Sequence, residues 1–189
     1  MNALANAQVG DLVNRNFAST YVKVGTFDIV NGRKQGGNVA SYFCLPDGRV
    51  LHAIAGPVDA NQFASEVRWA VAAHKQAAFR APHDPRYYQE LMRRAHADRL
   101  HHEYRIDQAA LGRLHQLAEQ ADSSDDGPTE DRGLAAKLSV LKRQRKLANA
   151  GRMHLMLALF PLPRVEDVYK FVFEDVLREK VTALPVVEK

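Results

Sequence analysis

The chain has little cysteine, little tryptophan and no long apolar run, and each shortage excludes something. A single cysteine, Cys44, in 189 residues rules out an internal disulfide, so this chain cannot cycle a dithiol by itself. No stretch of 18 apolar residues is present to span a bilayer, which argues against a membrane partner. The opening MNALANAQVGDLVNRN lacks a basic head followed by an apolar core and does not read as a secretory signal. Together these absences make a reducing, aqueous, cytoplasmic setting the default expectation. What remains is ordinary for a globular protein: 46% hydrophobic and 25% charged residues, with length enough for one sizeable core or two small ones. The formal charge of +4 favours approach to a polyanion without requiring one.

The most informative stretch runs from Gly37 to Ala73. Val39 to Leu45 and Arg49 to Ala55 are short runs of β-branched, aromatic and aliphatic residues separated by Pro46-Asp47-Gly48, which suits a tight reversal. A β-hairpin is predicted, with apolar residues on both faces and therefore covered on two sides. Gly56-Pro57 ends the second strand. Asp59 stands at an N-cap with Gln62 three residues on, and Val58 with Phe63 fits a hydrophobic staple. Phe63, Val67, Ala70 and Val71 then form one helical stripe, with Trp69 at its margin.

This order of hairpin, Gly-Pro and capped helix resembles the second half of the thioredoxin fold, over roughly Val9 to Lys75. The resemblance implies a strand near Phe17 to Val24 and a domain spanning 1–80. Two features of that family are missing: the Cys-x-x-Cys pair, and the proline that would fall near Val39. The expected fold class is thus α/β, an incomplete or rearranged thioredoxin-like sheet flanked by helices, with a mostly helical C-terminal extension over 81–189. The missing first strand suggests either a truncated chain, whose localisation would then be open, or a complete one that fills the gap differently, and it leaves apolar edges that residues 17–30 or a second copy of the chain would cover.

Around this centre the pattern is mostly helical. Ala3 to Arg15 is a helix candidate, and Gly25 to Gly37 reads as a glycine-rich basic loop whose spacing fits no phosphate-binding pattern. Asp84 with Pro85 opens a helix to about Arg105, and Asp107 opens another to Ala121. Residues 121–133 form a polar, acidic loop without periodicity. Leu134 to Ala150 is predicted as a helix closed by Gly151 at C′. Met153 to Phe160 reads as either a buried strand or a helix, since periodicity does not separate the two in so short an apolar run. A final helix is patterned by Val165, Val168, Tyr169, Val172 and Val176, with an extended tail from Thr182.

No catalytic, cofactor-binding or metal-ligating set is evident. Of the eight histidines, His96, His101 and His102 share a helix at separations of five and six, which do not place ligands on one face, so solvated histidines are expected. Cys44, mid-strand between Phe43 and Leu45, is a candidate lone thiol but reads as an inert buried one. Lys142, Arg143, Arg145 and Lys146 are candidates for polyanion contact; no aromatic residues interleave with them, which disfavours nucleic acid. The pairs Glu166-Asp167 and Glu174-Asp175 lack a pocket to perturb them, and the first suits a helix N-terminus. The leading expectation is a redox-inactive thioredoxin-like protein acting as a protein-interaction or structural module, without cofactor, whose partner is another protein or a second copy of itself. The alternatives are a thiol-dependent enzyme, or part of a longer oxidoreductase, and a nucleic-acid binder acting through the basic segment.

Overall fold

Strand β4, Val50–Ala55, is buried along its whole length, and the rest of the chain is arranged to cover it. The computed structural model describes residues 3–22, 27–31, 33–36, 38–123, 138–144, 146–179 and 181. The architecture is α/β and mostly helical. Strand β3, Ala40–Cys44, pairs with β4 antiparallel, as the Pro46-Asp47-Gly48 reversal predicts. Gly48 takes φ 82°, a conformation that a side chain would strain, and Asp47 accepts hydrogen bonds from the Arg49 amide and from Arg49 Nε. On the other side of β4, the Val50 amide donates to the Pro163 carbonyl.

The ladder carries a bulge. Phe43 stands opposite His52 while Cys44 stands opposite Val50, so Leu51 has no cross-strand partner. Its carbonyl is thereby released for a side-chain partner.

A second hairpin precedes this sheet and is separate from it. Strands β1, Phe27–Val30, and β2, Arg33–Gly36, pair with each other. The expected strand at Phe17 to Val24 is absent over residues 17–22, and the expected basic loop at Gly25 to Gly37 is a hairpin over most of its length. Asn31-Gly32 is the local cause: Asn tolerates the left-handed backbone it adopts here, φ 53°, and Asn-Gly is a preferred two-residue hairpin turn.

Helix α1, Ala7–Asn14, follows a short 3-10 turn at Ala3–Ala5, and Asn6 caps it through the amides of Gln8 and Val9. Helix α2, Ala60–Arg80, is capped by Asp59 on the Gln62 amide as expected, and buries Phe63, Val67 and Ala70 with Phe43 and Ile54 of the sheet. Helix α3, Pro85–Tyr104, is capped by Asp84. Helix α4 spans Gln108–Ser123. The acidic segment expected at 121–133 lies outside the described residues from 124 onward.

The C-terminal part departs from expectation. The expected helix from Leu134 to Ala150 is not continuous: residues 138–142 are helical (α5), residues 143, 144 and 146–148 are not, and α6 begins at Asn149 and runs to Leu159. Gly151 is therefore inside α6 and not a C′ residue. Its role is close approach: a Cβ there would lie 2.7 Å from Leu147 Cγ and 2.7 Å from the Tyr104 ring. Met153 to Leu159 are helical and wholly buried. Helix α7, Val165–Phe171, continues as a π-helical turn through Val172–Val176. The tail from Thr182 lies outside the described residues.

One apolar cluster joins Val50, Ala53 and Ala55 of β4 to Leu100 of α3, Leu155 and Met156 of α6, and Val168 and Phe171 of α7. Residues on both sides of position 80 thus share a core. The Gly151 contact tests how α6 docks. Gly151→Ala gains about 1 kcal/mol of helix propensity but overpacks the Tyr104 contact at about 1–3 kcal/mol, so urea unfolding is expected to shift to lower denaturant. An unchanged or raised midpoint would show that α6 does not pack against Tyr104 in this way.

Candidate metal centre

Three of the eight histidines are not on the surface at all. His52 on β4, His96 on α3 and His154 on α6 are 2%, 2% and 0% exposed, and each offers a ring nitrogen within 4.8 Å of the others. The expectation of solvated histidines holds for His101 and His102, which are exposed, and fails for His96. His52 alternates onto the same sheet face as Ile54 and stands opposite Phe43, on the side covered by α2. Helices α3 and α6 bring the other two alongside.

The hydrogen bonds around the rings determine which nitrogens carry protons. His96 Nε2 lies 3.0 Å from the Leu51 carbonyl, the one freed by the bulge, and a carbonyl only accepts. His96 Nε2 is therefore protonated, and in a neutral ring Nδ1 keeps its lone pair. His52 Nε2 lies 2.8 Å from Glu66 Oε2, and Glu66 is itself gripped by Arg99, Nη1 to Oε2 at 2.6 Å and Nη2 to Oε1 at 2.7 Å. Burial pushes the Glu66 carboxyl up, but the hydrogen bonds and charges of His52 and Arg99 together outweigh it and hold the group below its ordinary value, so it is an ionised acceptor. His52 Nε2 donates to it, and His52 Nδ1 is left with a lone pair and no partner.

His154 completes the set. Its Nδ1 lies 2.8 Å from His96 Nδ1, where His154 donates and His96 accepts, and its Nε2 has no partner. The His52 and His154 rings lie almost parallel, centroids 4.9 Å apart. Burial keeps all three rings neutral: it lowers His52 and His154 from their ordinary value and brings His96 down to about 3, with the neighbouring His52 adding to the effect at His96. Neutral imidazole is the form that ligates a metal.

Trp69, half-buried on α2, packs edge-on against all three rings at 4.8 to 5.0 Å. The Arg99 guanidinium sits 5.0 Å from the Trp69 ring, the range of a cation–π contact. A groove lined by Trp69, Gln76, Asp98, Arg99, His102 and Glu103 opens beside this contact. The cluster is thus closed from solvent by an aromatic ring and an arginine that also holds Glu66.

The residues singled out from sequence lie elsewhere. Cys44 is half-buried at the end of β3, not fully buried, and burial followed by the charges of Asp47 and Glu166 pushes its thiol up to about 11. Lys142 pairs with Asp175 at 3.1 Å, Arg143 and Lys146 are exposed off the helix, and Arg145 lies outside the described residues, so the basic run does not form one helical face. Asp167 accepts from the Arg164 amide at the start of α7, as expected of an acid at a helix N-terminus. No helix among the described residues is long and apolar enough to cross a membrane.

The histidine cluster had a faint signal in the sequence. His52 interrupts VLHAIA and His154 interrupts MHLMLALF, each a polar residue inside a run whose neighbours must be buried. Helical spacing relates residues of one helix, whereas this set is drawn one by one from a strand and two helices.

Fold and site together define a mostly helical α/β chain with a buried three-histidine centre. Comparisons with protein-family models, curated proteins and solved structures gave no match for it.

The thiol makes a separate prediction. With a value about 11, Cys44 carries roughly a hundredth of the thiolate it would have at 9.0, so at pH 8 iodoacetamide should modify it about 100-fold more slowly than a free thiol. The rate should rise about tenfold per pH unit up to pH 10. Rapid labelling at neutral pH would restore Cys44 as a nucleophile.

Proposed function

We propose that this chain is a metal-binding protein that holds one transition-metal ion of the zinc class at His52, His96 and His154. The observation that carries the reading is the convergence of three neutral, buried imidazoles of which two, His52 and His96, have their protons drawn outward by Glu66 and the Leu51 carbonyl. Metal-bound histidines are oriented in this way by carboxylates and backbone carbonyls. Without an ion, the partnerless nitrogens His52 Nδ1 and His154 Nε2 each leave a buried polar atom unsatisfied, costing about 1–3 kcal/mol. The lone pairs of His52 Nδ1 and His154 Nε2 are used by nothing else in the core, whereas that of His96 Nδ1 accepts from His154 Nδ1. His52, His96 and His154 would hold the ion, and His154 would have to give up its hydrogen bond to His96 Nδ1 to leave that lone pair free.

The ligand set narrows the ion. Imidazole nitrogens without thiolate suit zinc, copper, iron or nickel and not calcium or magnesium, which take oxygen ligands. Complete burial favours a site that stabilises the fold over one open to substrate. The expected result is one zinc per chain by elemental analysis of the chelator-stripped and reloaded protein, with a thermal transition raised by about 2.7 kcal/mol of stabilisation when free zinc is 100 times its dissociation constant. His96→Gln and His154→Gln should each abolish the rise. Absence of uptake, or equal uptake by both variants, would reduce the cluster to a hydrogen-bonded core.

A second reading, as an interaction module of thioredoxin-like descent, is favoured by the edge of β3. Among the described residues β3 pairs only with β4, and Val39 beside it is exposed. The hairpin followed by the Asp59-capped α2 is what supports the likeness in order of elements. An unpaired edge recruits a strand. A molar mass in solution of twice 21.1 kDa is expected if a second copy supplies it, and a monomer with no bound partner would remove this reading.

A further inference from the structure

Glu66 is a buried carboxylate in the middle of an amphipathic helix, a place where an unpaired charge would cost several kcal/mol. Its two oxygens accept three hydrogen bonds: two from Arg99 and one from His52. Arg99 is fixed on its other edge by Glu103, to which Nε donates at 2.7 Å, and its face lies toward Trp69. Among the buried side-chain atoms of this chain of contacts, His52 Nδ1 alone has no partner.

That single unsatisfied atom is the informative one. A neutral histidine with a free choice would place its proton where it gains a bond. Glu66 removes the choice, because an ionised carboxylate accepts only and it faces Nε2. The opposite tautomer would set a bare ring nitrogen against a carboxylate inside the core and would waste the partner of Arg99.

Resting on the metal-binding reading above, we infer that Glu66 is a positioning residue: it fixes His52 as the Nε2-protonated tautomer so that Nδ1 is the atom offered to the ion, and Arg99 is the anchor that holds Glu66 in place. Leu51 does the same for His96 through the bulge, so the two inward Nδ1 atoms are lone pairs before any ion arrives. Arg99 balances the Glu66 charge, so the carboxylate can stay ionised in the core and does not itself turn inward as a ligand. The anchoring arginine also lines the groove beside Trp69, which links the outer surface of α2 and α3 to the orientation of His52.

The test uses the full chain and three readouts. In the chelator-stripped wild type, nitrogen NMR of the imidazole rings should show His52 and His96 protonated at Nε2 and bare at Nδ1. Glu66→Gln still offers an amide oxygen to Nε2 but no charge, and Glu66→Ala offers nothing. Zinc affinity is expected to fall about tenfold in the first and up to about 100-fold in the second, with His52 losing its single tautomer in Glu66→Ala and the cobalt-substituted protein changing its visible absorption in both. Arg99→Gln should fall between wild type and Glu66→Ala. A wild-type His52 protonated at Nδ1 overturns the inference, as does a Glu66→Ala protein that is merely less stable while its tautomer, cobalt spectrum and zinc affinity stay as in wild type. Should the wild type show the fixed tautomer, and Glu66→Ala lose it, while neither takes up metal, the metal-binding reading fails and the positioning role of Glu66 stands.

Discussion

The carboxylate of Glu66 joins three elements that sequence places far apart. It sits on α2, takes a proton-bearing nitrogen from β4 and two guanidinium bonds from α3. Each of those groups would be expensive to bury alone, and each is acceptable because the others are there. The fully buried strand β4 depends on this arrangement, since His52 in its middle has no other hydrogen-bond partner for Nε2. Cutting the junction would leave a buried charge on one side and an unsatisfied ring on the other.

Around that junction the packing is unremarkable chemistry placed with care for backbone access. Apolar residues of α6 and α7 cover one side of β4, and those of α1 and α2 cover the other. The bulge at Leu51 breaks the ladder at one residue and converts a ladder carbonyl into a partner for His96. Gly151 lets α6 come close to Tyr104 near the end of α3, and α6 carries His154. Local backbone irregularities and one missing side chain are therefore what bring three rings to a common centre.

Much of the fold could be read from residue pattern. The hairpin at Ala40 to Ala55, the Asp59 and Asp84 caps, and the helices they start follow from turn chemistry and helical periodicity, which act over a few residues. Reading failed where a local rule competed with something distant. Gly151 looked like a helix end because glycine often is one, yet it is a contact point for another helix. The Asn31-Gly32 turn was a local signal that a count of glycines and basic residues obscured. Cys44 drew attention as the lone thiol, and the structure gives it a half-buried place at the end of β3.

The sequence by itself determined that the chain is α/β, that Asp59 and Asp84 cap helices and that a hairpin turns at Pro46-Asp47-Gly48, and that a single cysteine closes no internal disulfide. Hydrogen bonds of that kind are made between neighbours, and their spacing is written in order along the chain. Only the tertiary structure decided that His52, His96 and His154 meet, because no short-range rule relates a strand residue to residues on two later helices. Burial then gave the meeting its chemistry, by stripping water from three rings and holding them neutral.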